Sequence, residues 1–167
     1  MNMGNTLKFV PIAALIGFAS AGSVFAADFP KEGRYDYTAC WSGVATAIAF
    51  SKTNSAFNYE MTGTTLSNPP GGFLDKRSFH CVGMATSFGG KRTNTAVCES
   101  LGTDDGKILT HFSAASDGTI TRGVVEGTGR YEGLVSSGIA QPLGPFPAAK
   151  PGTFQECNHQ TGTYTMK

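Results

Sequence analysis

From Arg34 onward, short runs rich in Thr, Val, Phe and Tyr alternate with clusters of Asn, Asp and Gly, and helical periodicity is nearly absent. The pattern predicts strands near 34–51 (bent at Gly43), 56–66, 77–87, 92–101, 107–114, 119–126, 131–139 and 153–166. Gly89-Gly90, Asp105-Gly106 and Asp117-Gly118 mark three successive hairpins, and the two Asp-Gly pairs suit turns that need positive φ at both central residues. Ser67 to Asp75, with Pro69-Pro70-Gly71-Gly72, and Gln141 to Gly152, with its four prolines, read as loops. Eight antiparallel strands in chain order form an up-and-down barrel that leaves no free edge; the alternative is an open sandwich.

A two-residue turn at Gly89-Gly90 sets Phe88 opposite Lys91, Thr86 opposite Thr93 and Cys81 opposite Cys98. Counting outward from the turn, Cys81 and Cys98 form a non-hydrogen-bonded pair, with Cα atoms about 4.5 Å apart, where a disulfide can close. The chain has four cysteines, so Cys40–Cys157 follows by elimination and joins the first strand to the last. That bond suits a closed barrel, in which those two strands are neighbours.

Carrying the alternation across the hairpins puts Val82, Met84, Val97, Leu101, Ile108, Phe112 and Val125 on one face. Cys81, Cys98, Ser100, His111, Ser113, Arg122 and Glu126 fall on the other. The first face is the more apolar and is expected inside, with Tyr35, Tyr37, Trp41, Phe57, Tyr59 and Met61 of the early strands. Both disulfides then brace the outer wall. His80 and Glu99 stand opposite each other on the expected inner face, where they read either as an acid–base pair or as a structural ion pair near the mouth. Glu156, Asn158 and Gln160 are expected to point inward on the last strand, beside Phe154 and Tyr164.

Composition narrows the setting. Lys8, the apolar run Phe9 to Ala21 and Val24-Phe25-Ala26 form a signal-peptide pattern, so residues 1–26 are expected to be removed and 27–167 to fold as a single domain. An uncleaved membrane anchor is the alternative reading of that segment. The chain has 13 basic residues; without Lys8, 12 remain against 12 acidic ones, a balance that argues against a nucleic-acid partner. An even cysteine count in an exported chain reads as disulfides, so a periplasmic or secreted location is expected, with no membrane partner after cleavage.

Familiar chemical motifs fail on inspection. Gly127-Thr128-Gly129 is glycine-rich but lacks the Gly-Lys-Ser/Thr ending and following helix of a phosphate loop. Cys157-Asn158-His159 offers too few ligands for a metal, and the registers put His80, His111 and His159 on different faces, so neither metal nor cofactor is expected. No Ser sits in a nucleophile elbow.

The segment Gly127-Thr-Gly-Arg-Tyr-Glu-Gly-Leu-Val-Ser-Ser-Gly138 resembles the glycine signature of the allene oxide cyclase and dirigent-type barrels. The resemblance implies a small antiparallel barrel with an apolar central cavity, in a group whose members cyclise or isomerise hydrophobic substrates or steer phenoxy-radical coupling. No catalytic residue of those families maps onto this chain.

These readings converge on an exported barrel binding a small apolar or aromatic molecule. Tyr37, Trp41, Tyr59 and Phe112 would form the wall, and His80, Glu99 and Asn158 would orient the ligand. A cofactor-free isomerase or cyclase using His80 and Glu99 is one alternative. A solid structural or inhibitory barrel, contacting a partner through loop 141–152, is another.

Overall fold

The computed structural model describes residues 29–167; the expected signal peptide, 1–26, lies outside the described residues. Eight strands follow in chain order: β1 (Glu32–Ala49), β2 (Ser55–Ser67), β3 (Ser78–Phe88), β4 (Lys91–Leu101), β5 (Lys107–Ala114), β6 (Ile120–Gly127), β7 (Val135–Phe146) and β8 (Thr153–Thr165). A single 3-10 turn, Gly129–Tyr131, precedes β7. Each strand pairs antiparallel with the next and β8 returns to β1, so the sheet is a closed barrel.

Both expected disulfides are present. Cys81–Cys98 and Cys40–Cys157 each bridge directly opposed residues whose Cα atoms are 4.1 Å apart. Two disulfides suit an oxidising compartment. No helix among the described residues is long and apolar enough to cross a membrane.

One end of the barrel is closed by the loop between β2 and β3. Phe73 and Leu74 are buried there, and the Phe73 ring stacks on Tyr164 at 3.9 Å between centroids. Burying a side chain of this size contributes roughly 1.5–3 kcal/mol. The Asp75 carboxylate holds the loop by accepting from the backbone N–H of Ser67 (2.8 Å) and Gly71 (2.9 Å). Tyr35, Tyr37, Ile108, Tyr131, Leu134 and Tyr164 complete the core at this end.

Arg77 ties that floor together. Its Nη1 donates to the Tyr131 hydroxyl (2.8 Å) and to Asp104 Oδ1 (3.3 Å), and its Nη2 donates to the carbonyls of Gly106 (2.8 Å) and Ser100 (3.1 Å). The guanidinium also lies 4.6 Å from the Tyr131 ring centroid, a cation–π contact.

The inner face differs from the sequence expectation on β3, β4 and β6. The β3–β4 register is as read, but Cys81 (1 % exposed) and Cys98 (5 %) face the lumen, whereas Val82 (53 %), Met84, Val97 and Leu101 face outward. The cause is the following connection. A two-residue Asp105-Gly106 turn would set Leu101 opposite Thr110; instead Leu101 pairs with Lys107 and Cys98 with Thr110. That shift of three residues reverses the faces relative to β5. Ile108 and Phe112 therefore point inward as expected, but with Ser100 and Ala96 as their neighbours.

A second slip occurs between β5 and β6. Gly118, at φ 87°, follows a turn in which its N–H donates to the Ala115 carbonyl, while the Ala115 N–H donates to Thr119. This three-residue connection sets Phe112 opposite Arg122, so Arg122 enters the lumen and Val125 turns outward. Of the disulfides, Cys81–Cys98 thus lines the interior; Cys40 is exposed on β1, while its partner Cys157 is half-buried and borders the cavity. The expected loop 141–152 is also shorter: β7 continues to Phe146 past a register shift between Pro142 and Pro145, the kind of irregularity at which a sheet tolerates proline.

Size, rather than apolarity, explains which face is inside. Large rings from β1, β2 and β8 project inward, so the facing walls carry, beside Phe79 and Phe112, small residues such as Ala96, Cys81, Cys98, Ser100 and Thr110. Tyr35 shows the constraint: a Cβ at Gly138 would lie 2.0 Å, and at Gly162 2.3 Å, from its hydroxyl oxygen. Valine and methionine on β3 and β4 are left to the outer surface.

Candidate functional site: the barrel lumen

Above the closed floor the lumen holds a cavity of about 140 Å³. Leu74 and Arg77 lie at its base, while Asn94, Ala114, Ile120 and Glu156 line it towards the end rimmed by the 50–54, 89–90, 115–119 and 147–152 connections. The expected ligand-wall residues Tyr37, Trp41, Tyr59, Phe112 and Asn158 all line this cavity. Trp41 and Tyr59 arrive by alternation on the paired strands β1 and β2, Phe112 from β5 and Asn158 from β8. The Phe79 ring packs at 6.4 Å against Trp41, and Phe154 meets Tyr59 edge-on at 6.2 Å.

His80 and Glu99 do not join them. They are opposite each other in the β3–β4 ladder as read, but both stand on the outer wall. His80 Nε2 contacts Glu60 Oε1 (2.8 Å), and Lys107 Nζ donates to Glu99 Oε1 (2.9 Å), so each is engaged by a different partner. The expectation of a lumenal acid–base pair is corrected by the register shifts that reversed this face. The three histidines, expected on different faces, instead all lie outside: His111 contacts Thr95 Oγ1 (3.0 Å) and His159 contacts Asp36 Oδ1 (2.8 Å).

The polar groups that do enter the lumen form a short relay. The Tyr37 hydroxyl donates to Gln160 Oε1, and Gln160 Nε2 donates to Asn158 Oδ1 at 2.9 Å. Burial pushes the Tyr37 phenol up to about 12, against the opposing pull of the nearby Arg122 charge. Tyr59 donates to Asn94 Oδ1 (2.7 Å), and burial likewise raises its pKa. Both phenols therefore keep their protons at neutral pH. Glu156 is the one carboxylate on the described cavity wall, and desolvation raises its pKa.

Arg122 is the residue that the sequence reading placed outside. It is 6 % exposed; its Nη1 donates to Ser136 Oγ (2.7 Å), and its guanidinium carbon lies 4.9 Å from the Tyr35 ring centroid. The signal for it was Gly118: read as the bulge residue of a three-residue turn, it turns the β6 side chains over. Gln160 and Glu156 were anticipated; Arg77 was not, because its partners come from three separate segments.

No protein-family model matches the chain. No curated protein matches it either. Among solved structures, the pterocarpan synthase dirigent protein is similar over 84% of this chain and 94% of its own, at 12% identity and a TM-score of 0.49. At this identity no residue role passes from that protein to this chain.

Proposed function

We propose that this is an exported binding protein that holds one small molecule with an aromatic or apolar body in its lumen. The observation that carries the reading is the cavity itself, about 140 Å³ and walled by Trp41, Tyr59 and Phe112. A roughly 150 Å³ apolar cavity accommodates benzene, so this one suits a single ring with a short substituent. Aromatic walls with a few placed polar groups are the usual composition of such sites, and here Asn158, Asn94 and the two protonated phenols supply the polar points. The disulfides and the signal-like 1–26 segment support export to the periplasm or beyond.

Native mass spectrometry of the protein isolated from its natural compartment tests this. A small-molecule adduct lost on denaturation is expected, and it should be absent from an Ala96→Phe variant whose added ring fills the lumen. An adduct retained unchanged by that variant would place the ligand elsewhere.

A cofactor-free isomerase or cyclase is a second reading, and Glu156 favours it. Desolvation moves this carboxyl toward neutrality at the cavity, which is what a general acid or base needs. Glu156→Gln separates the two readings: turnover would vanish in an enzyme, while a pure binder keeps its ligand.

A further inference from the structure

Arg122 is buried in the lumen wall and has no carboxylate partner among the described residues. Its Nη1 is engaged by the neutral Ser136 hydroxyl, and its Nε is buried with no hydrogen-bond partner at all. The other lumenal cation, Arg77, is neutralised by Asp104 at 3.3 Å. Glu156, the cavity's carboxylate, makes no ion pair with Arg122, and no charge contributes to its shift. The remaining neighbours of the guanidinium are the Tyr35 ring and the Tyr37 phenol, whose oxygen hydrogen-bonds it and which keeps its proton at neutral pH. A buried guanidinium without a counter-ion is costly, and the described residues supply none.

We propose that Arg122 is the anion-recognition point of the lumen, and that the ligand is a small aromatic carboxylate. The inference rests on the lumenal-binding reading and adds the charge of the ligand to it. The ring of such a molecule lies against Trp41, Tyr59 and Phe112. Its carboxylate meets Nε and the adjoining Nη2, because Ser136 occupies Nη1; that edge of a guanidinium receives two carboxylate oxygens in parallel. Tyr35 is pinned beneath the guanidinium by its own hydrogen bond to the Ser137 carbonyl (3.1 Å), so the anchor is held before the ligand arrives.

The test compares phenylacetate with phenylacetamide, which share a ring and differ in charge, by calorimetry on the disulfide-bonded protein. The acid is expected to bind about tenfold tighter or more, and Arg122→Met should abolish that preference while leaving the amide nearly unchanged. In parallel, the Arg122 Nε–H signal in the unaltered protein should shift with the acid and not with the amide, a readout that does not depend on the variant folding. Equal affinity for acid and amide, or an acid preference that leaves the Nε–H signal still, overturns the assignment; the lumen would then remain a neutral binding site. If neither compound binds, the carboxylate proposal fails together with the single-ring reading of the cavity.

Discussion

Replacing Arg77 by methionine removes the clamp under the cavity while keeping a side chain of similar length. Arg77 is 3 % exposed, and the change strips the donors from the carbonyls of Gly106 and Ser100. A buried acceptor left without a partner costs roughly 1–3 kcal/mol. Asp104 is partly exposed and can be rehydrated, so loss of its ion pair adds less than a fully buried pair would. Methionine recovers some apolar contact with Tyr131. The net destabilisation expected is about 3–4 kcal/mol, which lowers Tm by roughly 10 °C or more for a domain of this size. Urea unfolding followed by far-ultraviolet circular dichroism measures it, with disulfides intact in both proteins. A loss below about 1 kcal/mol would refute the argument that these carbonyls depend on Arg77.

Further expectations follow from the same contacts. Asp104 is held below its ordinary carboxylate value because, although burial raises it, the Tyr131 hydroxyl and the Arg77 charge and hydrogen bond outweigh that effect. Its stabilising contribution is therefore complete above the ordinary carboxylate value of 3.8 and lost as pH falls through the lower folded value; NMR titration should find it raised in Arg77→Met. Removing Cys40–Cys157, which spans 117 residues, should cost about 5 kcal/mol, against about 3 for Cys81–Cys98, which spans 17; equal losses in denaturant titrations would contradict the chain-entropy account. Gly138→Ala should destabilise by roughly 1–3 kcal/mol by driving a methyl group into Tyr35, and a neutral result in thermal melts would deny that close approach. Glu99→Gln and His80→Ala, on the outer wall, should leave ligand affinity unchanged; a large loss on either would restore them to the site.

The barrel was legible because its determinants are local. The Gly89-Gly90 turn, the Cys81/Cys98 opposition and the closing Cys40/Cys157 pair all follow from spacing, and each is present. Tyr35, Tyr37, Trp41 and Tyr59 were legible as inward too, since they need only alternation along paired strands; Phe57, expected beside them, is exposed where β2 begins at the rim. The faces of β3, β4 and β6 were not. The 102–106 connection takes its path partly from Arg77, which holds the Gly106 carbonyl from a strand away, so the dipeptide Asp105-Gly106 is no guide to the register. Apolarity misled as well. In a narrow barrel crossed by Tyr35, Tyr37 and Trp41, the interior selects for small residues opposite large ones, and Val82 and Val97 do not fit there. Arg122 went unseen for the same pair of reasons: a one-residue slip at Gly118, and the assumption that a cation belongs outside.

The chain's one tryptophan, Trp41, lines the cavity, so its fluorescence reports the lumen alone. Titrating the folded protein with single-ring aromatic compounds is the most direct test of the binding account. A saturable, one-to-one change in Trp41 emission, abolished in Ala96→Phe, is the predicted result. Emission that stays flat to millimolar ligand, or that responds equally in the filled variant, would contradict it.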